Sequence, residues 1–595
     1  ANVKFAIYNI DDDTTKPATN SKGETIGTKE TINGKEYYTV TTDDKGEITA
    51  DLPQGMYKAV EVQADEKYDL TKDTYYFGIG TSREGKTGFK AIWAKGIGDN
   101  GNDSINSVAE IGDGGYVVGG DFIGSIDLGN GVVLSSKGEY DGMIIKYSAE
   151  GELEWAKVIG GSRSDYIEAV AECSDGGIIA GGIFLSSSID LGNGVVLSCK
   201  GSSDEMIIKY NAEGEIEWAK VIGGSGDDEI NSVAGTSDGG IIAGGEFKSS
   251  SIDLGNGVSL TNKGDYDGMI IKYSAEGKCE WAKGIGGSDW DKITSVAETR
   301  DGGLIAGGYF RSSSIDLGNG VSLTNKGNLD GMIIKYSAEG ECEWAKVIGG
   351  SSGDKITSVA ETRDGGLIAG GYFYSDSIDL ENGIILTNKE AGNEDGMIIK
   401  YNAEGECEWA KGIGDFYSEQ INSVVECSDR GIIAGGEFAS RSIDLGNGVI
   451  LTNNGSSPYA DGMIIKYNAE GECEWAKAIG GSDWDKINSA AETSDGGIIA
   501  GGFFYSSSID LGNGVNISNK GSKDHRDGMI IKFEKTELPN PTTIQAKGIG
   551  GSGSDKINSV AECSDGGIIA GGYFSRSIDL GNGVSLTYKG SYDGM

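Results

Sequence analysis

The residues able to do chemistry are few in kind. The chain holds one histidine, His525. Ser-His-Asp triads, His-ligated zinc and most general-base schemes need more than that. Eight cysteines are present, with no Cys-x-x-Cys pair among them. Paired carboxylates remain available for glycoside hydrolysis, since 92 Asp and Glu stand against 50 Lys and Arg. Trp290, Trp484, Tyr166, Phe416 and Tyr417 lie beside acids, as in Asp289-Trp290-Asp291. Rings next to carboxylates suit a sugar or a basic protein segment. The net charge of −42 repels nucleic acid and anionic membranes, so neither is expected as a partner. No apolar run is long enough to span a membrane as a helix.

What must position these residues is a repeat. Trp-Ala-Lys recurs at Trp93, Trp155, Trp218, Trp281, Trp344, Trp409 and Trp475, every 62 to 66 residues, and a degenerate copy starts at Gln545. A fixed period of this length marks units that bury their apolar faces only by stacking. In the unit at Trp281, Ile293 to Ala297 reads as a first strand and Leu304 to Phe310 as a second, joined by an Asp301-Gly302-Gly303 hairpin turn. A polar excursion follows, with a short strand Val321 to Thr324. Gly331 to Tyr336 is a third main strand and Glu341 to Lys346 a fourth. Nothing has helical periodicity. Four antiparallel strands repeated seven or more times suit a β-propeller.

The copies resemble the bacterial seven-bladed β-propeller repeat family. Its opening Trp-Ala-Lys-x-Ile-Gly-Gly stands at Trp344 to Gly350, its first turn at Asp364-Gly365-Gly366 and its closing strand at Ile398 to Tyr401. The resemblance implies the fold and little about function. Blade number has two readings. The stretch from Gly88 to Lys95 supplies a fourth-type strand before any first strand. It closes either a seventh blade ending at Phe533, leaving a surplus unit, or an eighth. A lone surplus unit would leave apolar faces exposed, which favours eight. The chain begins inside what reads as a strand and stops at Asp593-Gly594-Met595, where other copies continue, so both ends read as cut.

Comparing copies assigns most of the chemistry to the scaffold. Cys279, Cys342, Cys407 and Cys473 fill a slot held elsewhere by Leu153 and Ile216, as buried small hydrophobes would. Cys173, Cys427 and Cys563 trade with threonines, and Cys199 replaces Asn. Structural free thiols are expected. The Asp-Gly-Gly runs are sufficiently explained as turns and form no Asp-x-Asp-x-Asp-Gly calcium loop. An active site should break the repeat with one distinctive acid pair, and none stands out. Leu538-Pro539-Asn540-Pro541-Thr542 is not a sortase signal, because no Thr-Gly and no apolar tail follow.

What varies is two loop types, from fourth to next first strand and from second to third strand. In a propeller both emerge on one face. That face is the candidate ligand surface, carried by Trp290, Trp484, Tyr166, Phe416, Tyr417, Asp289 and Asp291.

Residues 1 to about 85 lack the repeat. They alternate as strands over Val3 to Tyr8, Tyr37 to Thr41, Gly46 to Leu52, Met56 to Gln63 and Tyr75 to Ile79. The run Gly46 to Leu52, then Gly55-Met56-Tyr57, Glu61 and Tyr68 resembles the SpaA and CnaB type of prealbumin-like domain in Gram-positive surface proteins. Glu61 matches the acid that promotes an isopeptide bond there, but the family's Lys would lie before residue 1, and no Asn follows the last strand in Tyr75 to Phe89. The fold expected is therefore all-β: a prealbumin-like β-sandwich over 1–85, then a β-propeller of four-stranded blades over 86–595. The expected protein is an extracellular, cell-surface or cell-wall adhesion or interaction protein. It is a monomer without metal or cofactor, is not an enzyme, and has a glycan or a protein as its ligand. The alternatives are a carbohydrate-active enzyme and a structural spacer.

Overall fold

The computed structural model describes residues 4–9, 25–32, 35–41, 55–63, 74–79, 87–455, 459–521, 525–537, 556–562, 568–574, 578–581, 584–586 and 593–594. The chain divides into two compact units, Thr87–Thr536 and Ala1–Lys86 with Glu537–Met595. Among the described residues all regular structure is β.

The N-terminal residues form a five-stranded antiparallel sheet. Its order is Thr28–Ile32, Lys35–Thr41, Lys4–Asn9, Gly55–Gln63, Thr74–Ile79. The strand Thr28–Ile32 was not anticipated. The expected strand Gly46 to Leu52 lies outside the described residues. Glu61 pairs in register with Phe5, and its side chain also lies outside them. Lys4 meets Glu30 at 2.5 Å.

The larger unit is a ring of seven four-stranded sheets. Blade four shows the pattern, with strands Asp291–Glu298, Leu304–Phe310, Asp330–Tyr336 and Cys342–Ile348. Its excursion is a separate hairpin, Ser314–Gly318 with Val321–Thr324. The paired glycines of the second strand are required by close approach. A Cβ on Gly307 would come within 2.6 Å of Val359 in the next blade, and one on Gly308 within 2.0 Å of the Lys292 carbonyl. The Asp of each Asp-Gly-Gly turn anchors its own blade. Lys146, Lys209, Lys272, Lys335, Lys400, Lys466 and Lys532 of the third strands reach Asp113, Asp175, Asp238, Asp301, Asp364, Asp429 and Asp495 at 2.5–3.2 Å. In blade six the turn residue after Asp429 is Arg430, which takes a φ of 65°. Cys279, Cys342, Cys407 and Cys473 are buried in the blade cores.

The blade count corrects the preference for eight. Thr87–Ile97 takes the fourth place in the sheet of Asp485–Glu492, Ile498–Phe504 and Asp527–Glu537. Phe89 and Ala91 of that strand join Met529, Ile531 and Phe533 in one core. Blade one then packs on blade seven, through Ile105 and Val108 against Ile499 and Ile530. Asn488 donates to the Ile105 carbonyl at 2.9 Å, and the Asp103 amide to the Arg526 carbonyl at 2.8 Å. The leading fourth-type strand is thus consumed at the seventh blade. The last unit contributes a three-stranded sheet, Lys556–Glu562, Ile568–Phe574 and Asp593–Gly594.

Candidate functional site

The loops from fourth to first strand and from second to third strand meet at the junctions between blades. At two junctions the same device is built twice. The motif Gly-Gly-Glu-Phe ends a second strand at Glu246 and Glu437, and Ser-Asp-Trp-Asp-Lys leads into the next blade at 288–292 and 482–486. Trp290 Nε1 donates to Glu246, and Trp484 Nε1 to Glu437 at 2.6 Å. Lys292 pairs with Glu246 at 3.1 Å and Lys486 with Glu437 at 2.9 Å. The tryptophan loop is pinned identically. Asp289 and Asp483 accept the Trp290 and Trp484 amides at 2.9 Å, and Ser312 and Ser506 accept the amides of those aspartates at 2.9 and 3.0 Å. Each indole therefore has its polar edge engaged and only its ring faces left for a ligand.

The surroundings differ. At the first junction Tyr266 packs on Trp290 with centroids 6.4 Å apart, and Lys248 sits 4.6 Å over the Tyr266 ring. Lys292 has a second acid, Glu229, at 3.2 Å. At the second junction Ala460 stands where Tyr266 stands, Ala439 replaces Lys248, Gln420 replaces Glu229 and Ser418 replaces Asp227. Trp484 is 38% exposed. These four smaller or neutral side chains, with Glu437, Trp484 and Tyr459, line an open recess of about 290 Å³. Behind it Tyr505 stacks on Trp484 at 5.9 Å and 8°, and Phe503 meets it edge-on at 5.2 Å.

The seven residues singled out from sequence do not form one site. They lie at four junctions. Tyr166 stacks on Tyr140 at 5.9 Å between blades one and two. Phe416, 57% exposed, meets Tyr417 edge-on at 5.1 Å in the loop leading into blade six. Asp289 caps the Trp290 loop. Asp291 is corrected as a ligand contact. It is fully buried, accepting from the amides of Gly287, Arg311 and Ser312 and from the Ser312 hydroxyl at 2.6–3.1 Å. Asp165, Asp228, Asp354 and Asp485 make the same clasp with Ser186, Ser249, Ser375 and Ser506. Sequence reasoning missed Gln420 and Glu437, and it placed Tyr459 and Ala460 in a variable loop of the candidate face without naming them as contacts. The twofold coincidence of Gly-Gly-Glu-Phe with a following Ser-Asp-Trp-Asp-Lys was the signal that could have found Glu437.

Two single acids, Glu205 and Glu168, depart from the repeat where no distinctive acid pair was expected. Glu205 takes a slot that is Gly142, Gly268, Gly331, Gly396, Gly462 and Gly528 in the other blades. It is completely buried, and neither carboxylate oxygen has a hydrogen-bond partner. Burial first, then Asp228, Glu229 and Asp204, hold its carboxyl well above the usual range. Glu168 replaces an Asn or Thr on the first strand of blade two. Burial, then Asp121 and Glu229, push it up to about 8, against the pull of Lys292. A carboxyl desolvated among other acids is held in its neutral form. Among the described residues no cluster of three or more His, Cys, Asp or Glu is arranged to hold a metal.

Residues 1–91 match the family model described as SpaA, prealbumin-like fold domain. The chain is 23% identical over 280 residues to the regulatory protein FlaEY of Caulobacter vibrioides, covering 44% of this chain and 28% of that one. It is 21% identical over 449 residues to the uncharacterized WD repeat-containing protein L264 of Acanthamoeba polyphaga mimivirus, covering 62% and 32%. The chain thus spans about a third or less of the length of these curated relatives. Among solved structures it is similar to the Pan2 WD40 domain of Neurospora crassa, with a TM-score of 0.33, 9% identity, 75% of this chain covered and 91% of that one.

Proposed function

We propose that this protein is an extracellular, surface-attached adhesion or interaction protein, whose propeller binds a glycan at the Trp484 recess. One support bears on the setting: the N-terminal match is to a domain type found in surface proteins. The observation that carries the ligand reading is the open copy of the tryptophan junction. An exposed indole face, the Tyr459 ring, the Gln420 amide and the Ser418 hydroxyl offer what a sugar presents, apolar C–H faces alternating with hydroxyls. Binding without turnover is favoured there, because Glu437 is committed to both Trp484 and Lys486 and leaves no free acid–base pair in the recess.

The test is glycan-array screening followed by titration calorimetry. Trp484→Ala should lower affinity for the captured glycan by about tenfold or more, with the ring still folded by circular dichroism. Trp290→Ala should leave it unchanged. Equal affinity of wild type and Trp484→Ala would remove this site.

A further inference from the structure

We propose that the binding site continues from the Trp484 recess across blade seven into a second recess, so that the ligand is a linear, uncharged oligosaccharide. This rests on the glycan reading of the first recess and adds its extent and ligand class.

The second recess, of about 310 Å³, lies where blade seven meets blade one. Asn100, Asn102, Ser125, Tyr140 and His525 line it, with Asp99 at one wall. It occupies the same loop types as the first recess, hence the same face. Here the repeat is broken. Gly98-Asp99-Asn100-Gly101-Asn102 replaces the Gly-Gly-Ser opening of most copies, and His525 is the only histidine of the chain. The polar groups form a chain. Asn102 donates to the Tyr140 hydroxyl at 3.3 Å and accepts the Arg526 amide at 3.2 Å.

The ground between the recesses is aromatic. Phe503, buried beneath the surface, has Trp484 at 5.2 Å from its ring centre on the side of the first recess. Arg526, the neighbour of His525, lies 4.4 Å from the same centre. Tyr505 meets Phe503 at 6.0 Å and stacks on Trp484. Trp484, Tyr505 and Arg526 thus pack around the buried Phe503 ring, and the rings of Trp484 and Tyr505 carry the surface between the two recesses, with amides and hydroxyls at both ends. Stacking surface flanked by neutral donors and acceptors matches a sugar chain. Charge argues against the other extended ligands. Asp99 and the net charge of −42 oppose a polyanion, while Arg526 and Lys486 stand where a basic segment would lie.

The probes are linear cello-, xylo-, manno- and chito-oligosaccharides from mono- to hexasaccharide, with oligolysine and oligogalacturonate beside them, titrated into the full chain. At least one neutral series should gain affinity about tenfold from monosaccharide to tetrasaccharide. His525→Ala and Tyr140→Ala should each weaken the hexasaccharide about fivefold and leave the shortest binding sugar unchanged. Trp484→Ala should weaken all lengths. Affinity independent of length, or His525→Ala and Tyr140→Ala both without effect while Trp484→Ala retains its own, would overturn the extended site and leave the first recess standing. Tighter binding of oligolysine or oligogalacturonate than of every neutral series would overturn the ligand class. No binding of any sugar would overturn this inference together with the glycan reading beneath it.

Discussion

The two tryptophan junctions are one device in two states of closure. Backbone pinning, the Trp–Glu bond and the Lys–Glu pair are shared between Trp290 and Trp484. What differs is the rim. Tyr266, Lys248 and Glu229 fill and charge the first junction, whereas Ala460, Ala439 and Gln420 clear and neutralise the second. The shared parts therefore serve the ring, and the unshared parts are where binding can be gained or lost. A residue type repeated in a propeller says scaffold, and departure from the repeat at a conserved frame says site.

The largest expected difference between the junctions is in stability. Lys292 is the single cation between Glu229 and Glu246, and Glu246 is itself buried, with its carboxyl raised by that burial against the pull of Lys292. Lys292→Met leaves two acids facing each other in a desolvated junction and should cost about 3 kcal/mol. Lys486 has Glu437 alone, and Glu437 keeps Trp484 as a donor, so Lys486→Met should cost about 1 kcal/mol. Urea unfolding of the two variants measures both. Equal losses would mean that Glu229 adds nothing, and the charge part of the comparison would fall.

Much of this was legible before the fold. Strand order within a unit, the Asp-Gly-Gly turns and the cysteines as core residues follow from patterns that each copy repeats. The shared face of the two loop types follows from blade topology. The seven-blade closure was not fixed by pattern, because Thr87–Ile97 looks equally fit to complete Phe533's blade or the next; which partner takes it is decided by packing of Phe89 and Ala91. Asp291 was misassigned because proximity to Trp290 in sequence says nothing of direction. In a strand, successive side chains alternate faces, and Asp291 turns inward to Ser312 while Trp290 turns to the rim. Glu205 was overlooked although its slot is otherwise glycine, since a single substitution carries no sign of burial until the neighbouring blade is in place.

The rim can be exchanged between junctions. Ala460→Tyr with Ala439→Lys should close the Trp484 recess and weaken glycan binding about tenfold, near 1.4 kcal/mol. The reciprocal Tyr266→Ala with Lys248→Ala should open Trp290 and raise the binding stoichiometry from one to two. Calorimetry reads affinity in the first case and stoichiometry in the second. An unchanged stoichiometry would show that Glu229, which Gln420 replaces in the open copy, also has to be neutralised; the triple variant with Glu229→Gln then has to bind, or the rim is not what separates the two.

The smallest effect concerns the acids that cluster on the closed side. Around the ring, Asn106, Thr294, Thr357, Asn422 and Asn488 each donate from the first strand to a carbonyl of the next blade at 2.6–3.0 Å. Glu168 holds the same position in blade two, where it can donate only when protonated. Facing it are Asp121, Glu229 and Lys292. Its carboxyl is raised from 4.5 to about 8 in the folded state. The folded form therefore binds the proton more tightly than the unfolded one, and the stability this adds is complete below about 4.5 and drains away as pH rises to about 8. Glu168→Gln keeps a donor at every pH, so its unfolding free energy should fall less than that of wild type between pH 5 and pH 8.5. Asn422→Glu, made on the open side, should import a slope of the same sign. Parallel pH profiles for wild type and Glu168→Gln would show that the carboxyl titrates near its ordinary value, and that the two sides differ in shape alone.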